Sequence, residues 1–263
     1  MPAVEHPWKT ALVTGASSGI GAALARELAG AGVDLVLVAR RADRLESLAT
    51  ELGRPHIHVE VQVADLTDPA DAARLEARLA EVDRPIDLLI NCAGLGAAGP
   101  FADGDLARYR QVVRLNIGAL MELTYAAVAP MRTRRRGWVI NISSLGGHAP
   151  GPGFAVYSAT KAFVTSFSES LHEELRRSGI VVTAVCPGAT RTEFNDESGP
   201  DTTALPDILC QEADEVAREA LAAAAAGKAV RVTGRINRIS AAFTTVLPRT
   251  ANRKLSALVT DRL

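Results

Sequence analysis

The chain has 263 residues, with 48% hydrophobic and 22% charged content, which is ordinary for a globular protein with a sizeable core. Its formal net charge of −1 gives no global attraction to nucleic acid or to an anionic membrane. Cys92, Cys186 and Cys210 are too few and too scattered for a disulfide frame or a zinc site, and the five histidines show no metal-ligand spacing. No metal is expected, and a reducing, cytoplasmic setting fits best.

Residues Met1 to Lys9 carry no apolar signal core, and no uninterrupted apolar run is expected to cross a bilayer. Short aliphatic runs then alternate with amphipathic stretches. Strands are expected at Thr10–Thr14, Asp34–Ala39, Ile57–Val61, Asp87–Ile90, Trp138–Ile142 and Val181–Val185, with a weaker one at Ala229–Val232. Helices are expected at Ile20–Ala31, Ala42–Leu52, Pro69–Val82, Leu106–Arg132 and Val156–Ser178. Continuously apolar strands bracketed by helices predict an α/β fold, a doubly wound parallel sheet with helices on both faces. No linker rich in Pro, Gly or Ser divides it, so one Rossmann-like domain over residues 1–263 is expected, with 234–263 as a helical extension.

The first expected strand runs into Thr14-Gly15-Ala16-Ser17-Ser18-Gly19-Ile20-Gly21, which opens a helix. Glycines at such a turn let backbone approach a pyrophosphate, and the helix N-terminus offers N–H groups and positive potential. At the end of the second strand a dinucleotide fold needs a ribose reader. An acid there would accept from a 2′-hydroxyl, whereas this chain has Ala39-Arg40-Arg41, and a guanidinium clamps a phosphate. NADP(H) is therefore expected over NAD(H). His56-x-His58 is read as one face of the third strand.

Arg132-Thr133-Arg134-Arg135-Arg136 falls at a helix end, where cations complement the dipole, so a nucleic-acid role is not expected. Ala220–Ala226, ending at Gly227, reads as a capped helix. Beyond Gly234, Ile236, Ile239, Ala242, Phe243, Val246 and Leu247 recur at helical spacing with Arg235, Arg238 and Arg249 nearby. Such a helix can lie on a membrane, cap a pocket or join subunits. Core or subunit packing is the favoured reading, with a membrane surface as the minor one.

The chemistry is expected at Tyr157-Ser158-Ala159-Thr160-Lys161, where the phenol and the ammonium share a helix face. A neighbouring cation favours phenolate and pulls a tyrosine down from its usual value of about 10. Such a phenol can give a proton to a carbonyl oxygen or take one from an alcohol. Ser144 or Ser143 upstream can hold the same oxygen.

Together these segments resemble the short-chain dehydrogenase/reductase family from about Lys9 to Thr192. The glycine-rich turn looks like that family's T-G-x-x-x-G-x-G cofactor loop. Asp65-Leu66 resembles its adenine-contacting Asp, and Asn91-Cys92-Ala93-Gly94 is similar to N-N-A-G, with Cys92 replacing the second Asn. The resemblance places Asn91 to Gly94 beside the adenine ribose, and Asn116 as a structural and proton-relay residue anchoring a water that leads from Lys161. Ser144, 13 residues before Tyr157, fits the family's catalytic Ser. Pro187-Gly188 with Thr190 and Thr192 is similar to the P-G-x-x-x-T stretch that caps the nicotinamide. The resemblance implies reversible hydride transfer, with Tyr157 as acid and base, Lys161 lowering its pKa and holding the nicotinamide ribose, and Ser144 polarising the carbonyl. It also makes a homodimer or homotetramer the expected assembly.

Leu95, Leu145, Phe154 and Phe194 are expected to line the substrate side, which favours an apolar ketone, aldehyde or secondary alcohol. Arg191 is the available carboxylate partner, and Arg40-Arg41-Ala42-Asp43-Arg44-Leu45 with Lys161-Ala162-Phe163-Val164 also looks like members that oxidise small 3-hydroxy acids. A Rossmann-like scaffold that binds NADP(H) without turnover is the reading from another class. Such proteins lose the tyrosine or the lysine, and both are present here.

Overall fold

The central aliphatic runs, at Thr10–Thr14, Asp34–Ala39, Leu88–Asn91, Gly137–Ile142 and Ile180–Cys186, are buried on both faces, which is why they read as continuously apolar rather than alternating. The computed structural model describes residues 7–194 and 210–260. In chain order the elements are β1 Thr10–Thr14, α1 Gly19–Gly30, β2 Asp34–Ala39, α2 Ala42–Leu52, β3 Val59–Val63, α3 Pro69–Ala80, β4 Leu88–Asn91 and α4 Leu106–Val113. A π-helical turn, Arg114–Ala119, leads to α5 Leu120–Arg134, then β5 Gly137–Ile142, α6 Ala155–Leu175 and β6 Ile180–Cys186. The remaining elements are β7 Thr190–Arg191, β8 Gln211–Glu212, α7 Ala213–Ala225, β9 Val230–Val232, α8 Arg235–Val246 and α9 Arg249–Thr260.

The main sheet is seven-stranded and parallel, in the order β3-β2-β1-β4-β5-β6-β9. The order reverses beside β1, and the crevice outside the strand ends at such a switch point is where open α/β sheets bind ligands. Alternate residues of each strand feed two cores. Ala11, Val13, Leu35, Leu37, Leu88 and Ile90 pack towards α1, α2 and α7. Leu12, Val36, Val38, Leu89 and Val139 pack towards α3 and α5. The small residues of α7, Ala217, Ala220 and Ala224, are fully buried, which lets it lie close to α1.

Several boundaries differ from expectation. The third strand starts two residues later, pairing Val59 with Leu35, because Arg54 and Ile57 close a turn and His58 N donates to Asp34 Oδ1 (2.6 Å). His56 and His58 therefore sit exposed in the connection, not on a strand face. The helix expected over Leu106–Arg132 is interrupted by the π turn, a feature that recurs at functional sites. The whole stretch Leu106–Arg134 is long and apolar enough to span a bilayer by length and composition, contrary to expectation, yet Leu123, Ala127 and Met131 are buried in the core.

The basic run beyond α5 is used locally. Arg134 donates to Ile86 O (2.8 Å), Arg135 takes a left-handed conformation (φ 53°) and donates to Arg177 O (3.2 Å), and Arg136 lies over Trp138 at 5.5 Å. At the C-terminus the apolar face of α8 points outward: Ile239 and Phe243 are 70% and 65% exposed, while Asn237 and Ala241 turn inward. Core packing of that face is thus corrected. The first turn of α8 is drawn in by the polar bonds of Asn237 instead.

Candidate active site

The glycine-rich turn follows β1 and begins α1. Gly15 has φ 70°, and a Cβ there would come within 2.9 Å of the Ala93 backbone, so the chain after β4 lies directly against the turn. A Cβ on Gly21 would meet Gly15 O at 2.2 Å, which only glycine allows. Ser18 precedes α1 without capping it through its side chain, and no acid occupies the first turn. The N–H groups at this end keep their positive potential.

Arg41, rather than Arg40, reaches this turn. Its guanidinium donates to Ser17 Oγ (3.1 and 3.2 Å) and Ser18 Oγ (2.7 Å), and also to Glu193 Oε2 (2.8 Å). Arg40 is exposed. Arg44, one helical turn beyond Arg41, also donates to Glu193, and the two cations hold that carboxyl below the usual carboxylate range. Ile20 packs beside the core under the turn.

Along the strand ends, Thr14 acts as a hub: its hydroxyl donates to Ile90 O (3.2 Å) and accepts from the backbone N–H groups of Cys92 (3.0 Å) and Ala93 (3.1 Å). These are main-chain contacts, so the Cys92 substitution leaves them intact. Asn91 donates to Thr124 Oγ1 (3.0 Å) and Asn141 Oδ1 (2.9 Å), and Asn141 continues to Ser168 Oγ (2.9 Å), bracing β4 against β5 and α6. Asp65 accepts from Thr67 N (2.9 Å) and Oγ1 (2.8 Å) in the turn after β3, and Leu66 beside it is buried.

Asn116 sits in the π turn, fully buried. It pairs twice with Leu95, accepting from its N–H (2.9 Å) and donating to its carbonyl (2.9 Å), and donates to Thr160 Oγ1 (3.0 Å) on α6. A Cβ on Gly94 would lie 3.4 Å from Asn116 Oδ1 and 3.6 Å from Lys161 Nζ, which brings the β4 exit and the α6 lysine together.

The two serines separate in role. Ser143 is buried, with its hydroxyl bonded to Lys161 O (2.8 Å) and Thr165 Oγ1 (2.7 Å). Ser144 opens a short 3-10 turn, Leu145–Gly147, accepts from Gly146 N (3.1 Å), and lies near enough to Tyr157 to influence the phenol. Gly147 lets this turn touch α6, since a Cβ would stand 2.8 Å from Lys161 C. Lys161 Nζ donates to Ile142 O (2.8 Å) and lies 5.8 Å from the Tyr157 ring centroid.

The electrostatics run against expectation. Burial pushes the Tyr157 phenol up to about 12, with Ser144 pulling the other way. Burial pushes Lys161 down to about 8, opposed by Cys92 and Cys186. The ammonium faces a backbone carbonyl and the ring, so the predicted depression of the phenol gives way to desolvation.

The far rim is formed by Pro187-Gly188 and β7. Pro187 O accepts from Leu145 N (2.7 Å), tying it to the Ser144 turn. Thr190 donates to Gly188 O (3.1 Å), and Thr192 packs so that a Cβ on Gly19 would meet its Cγ2 at 3.0 Å. Gly188 itself rests on Asn237 of α8. Close contacts thus join Arg41 to Ser17 and Ser18, the glycine-rich turn to Ala93 and Thr192, and Lys161 to Gly94 and Gly147, while Arg40 stays outside this set.

Comparison with known proteins decides what this crevice belongs to. Residues 9–203 match the family described as short chain dehydrogenase. The chain belongs to that family. Sulfoacetaldehyde reductase 2 of Chromohalobacter salexigens is 39% identical over 185 residues, covering 70% of this chain and 73% of that one. A short-chain dehydrogenase from Sphingobium yanoikuyae solved with NADPH is 38% identical, with a TM-score of 0.81, over 91% of this chain and 96% of that one. The bulky-bulky ketone specific alcohol dehydrogenase of Comamonas testosteroni is 36% identical, with a TM-score of 0.77, over 92% and 95%.

This short-chain dehydrogenase is accordingly an oxidoreductase of CH–OH and C=O groups that uses NAD(P). Its residues fit a dinucleotide: the positive-φ turn, the α1 N-terminus without a side-chain cap, and Arg41 fixed over Ser17 and Ser18 all present positive potential to phosphate. Sequence reasoning does not single out Thr14 as a hub, nor Asn141, Thr160 or Glu193. The first three carry a usable signal, since a polar side chain within or beside a buried run must find a partner. Glu193 carries none, because its partners lie about 150 residues away in sequence.

Proposed function

We propose that this enzyme prefers NADP(H) and interconverts an apolar ketone with its secondary alcohol. Cofactor preference rests on Arg41, pinned to the glycine-rich turn with Arg44 alongside, where an NAD enzyme would place an acid. When bound, the nicotinamide supplies or accepts the hydride. Tyr157 gives its proton to the carbonyl oxygen in reduction and takes it back in oxidation. Ser144 Oγ accepts from Gly146 N, which leaves its O–H free to donate to the substrate oxygen, where negative charge grows. Lys161 would hold the nicotinamide ribose, and Asn116 keeps Leu95 and α6 in register beside it.

The substrate reading is carried by the Phe194 ring, 5.7 Å from the Tyr157 ring, with Leu145 and Phe154 flanking Ser144 and the start of α6. Arg191 is already paired with Glu212 (3.2 Å), which weakens the case for a small acid. The similarity to sulfoacetaldehyde reductase 2 favours that second reading. NADPH consumption against a panel of bulky ketones, aldehydes and small oxo acids tests both. Highest kcat/KM with the bulky ketones is expected, and highest kcat/KM with the acids would overturn it. Arg41→Ala should lower kcat/KM for NADPH about tenfold or more while sparing NADH.

A further inference from the structure

The acid at the 2′-phosphate end of the crevice has no part in hydride transfer. Glu193 follows Thr192, whose side chain packs on Gly19, so its backbone is anchored to the rim of the glycine-rich turn. Its two carboxylate oxygens reach two different guanidinium groups, Oε2 to Arg41 (2.8 Å) and Oε1 to Arg44. The cations hold it ionised at neutral pH. Arg41 is itself restrained by Ser17 and Ser18, so it cannot follow the carboxylate away from the turn.

We propose that Glu193 is an internal competitor for the 2′-phosphate, setting how strongly the enzyme favours NADP(H) over NAD(H). A carboxylate bridging two guanidinium groups occupies the same donors, with the same sign of charge, that a phosphate monoester would use. Two anions cannot both keep this pair of cations without mutual repulsion. A dinucleotide with a free 2′-hydroxyl leaves the Glu193 bridge intact, whereas one with a 2′-phosphate must displace it. The phosphate therefore gains less from Arg41 and Arg44 than their number implies. Glu193 also links the Thr192 segment to α2, so displacement by phosphate loosens one rim of the crevice from the other.

This inference rests on the NADP(H) reading, and fragments lacking the nicotinamide test the two separately. Binding of 2′,5′-ADP and 5′-AMP to the full-length protein would be measured by titration calorimetry for wild type, Glu193→Gln and Glu193→Ala. The wild type should prefer 2′,5′-ADP. Both variants should bind 2′,5′-ADP about fivefold more tightly, in keeping with two solvent-exposed ion pairs removed, and 5′-AMP unchanged. The gain should shrink at high salt. If the wild type binds both fragments equally, the NADP(H) reading falls and the inference with it. If it prefers 2′,5′-ADP but both variants match it or bind more weakly, the competitor role alone is overturned. Agreement between the Gln and Ala variants, each with a wild-type unfolding transition, excludes misfolding as the cause.

Discussion

At the scale of single residues, Tyr157 and Lys161 share a helix face as the sequence predicts, but desolvation rather than mutual attraction governs their protons. Tyr157→Phe keeps the ring and its packing against Phe194 while removing the only proton it can transfer. Turnover should fall by about 100-fold or more, with NADPH affinity within a few-fold of wild type, as read by steady-state kinetics and fluorescence titration. Lys161 gives a pH signature. Its folded pKa of about 8 lies below the ordinary 10.5, so the unfolded chain binds the extra proton between those values. Stability contributed by this site is therefore lowest below pH 8 and rises with pH up to about 10.5. Relative to Lys161→Met, the wild type should gain on the order of 3 kcal/mol across that window, measured by urea unfolding. Comparing the pair cancels the common part of Cys92, Cys186 and Tyr157, whose raised values act in the opposite direction at higher pH. A difference that stayed flat with pH would show that Lys161 is not desolvated in this way.

At the scale of elements, the interruption of the long helix is what sequence periodicity could not show. Leu106 to Arg134 reads as one amphipathic run, because a π turn adds a residue without changing composition. Its cause is tertiary: Asn116 must turn in to serve both polar groups of Leu95 and the Thr160 hydroxyl, while Arg114 and Glu122 close across the turn at 2.7 Å. Asn116→Ala would leave the buried Leu95 N–H and carbonyl without their partner. A loss of about 3 kcal/mol is expected, seen as a lower urea midpoint at unchanged slope, together with reduced turnover. An unaltered midpoint would mean that water or backbone replaces the amide. The strands were legible for the opposite reason, since burial on both faces leaves a composition signal that needs no partner to be known. Cofactor-end contacts fall between these cases: Arg41 and Arg40 are adjacent in sequence, and only the direction of α2 decides which one meets Ser17 and Ser18.

At the scale of the whole molecule, the parallel sheet could be read from the alternation of elements, while its strand order and switch point come from the structure. The role of the C-terminal helices could not be read from the sequence. Their apolar stripe predicts burial, yet the side chain that matters is Asn237, which donates to Thr233 O (3.0 Å), meets the Gln211 amide (3.2 Å) and fills the space beneath Gly188. Thr233 in turn meets Gln211 (2.7 Å), so the end of β9, β8 and α8 converge under the Pro187-Gly188 loop. On α9, Asn252 donates to carbonyls at the end of α8. Truncation after Gly234 removes the support beneath Gly188. It should lower the unfolding temperature by about 5 °C and reduce kcat, and Asn237→Ala should reproduce part of both effects. Truncation after Leu247 spares Asn237 and should shift the unfolding temperature by less than about 2 °C with kcat retained. Equal losses from the two truncations would move the functional contribution out to α9 and remove Asn237 as the link between the C-terminal helices and the catalytic crevice.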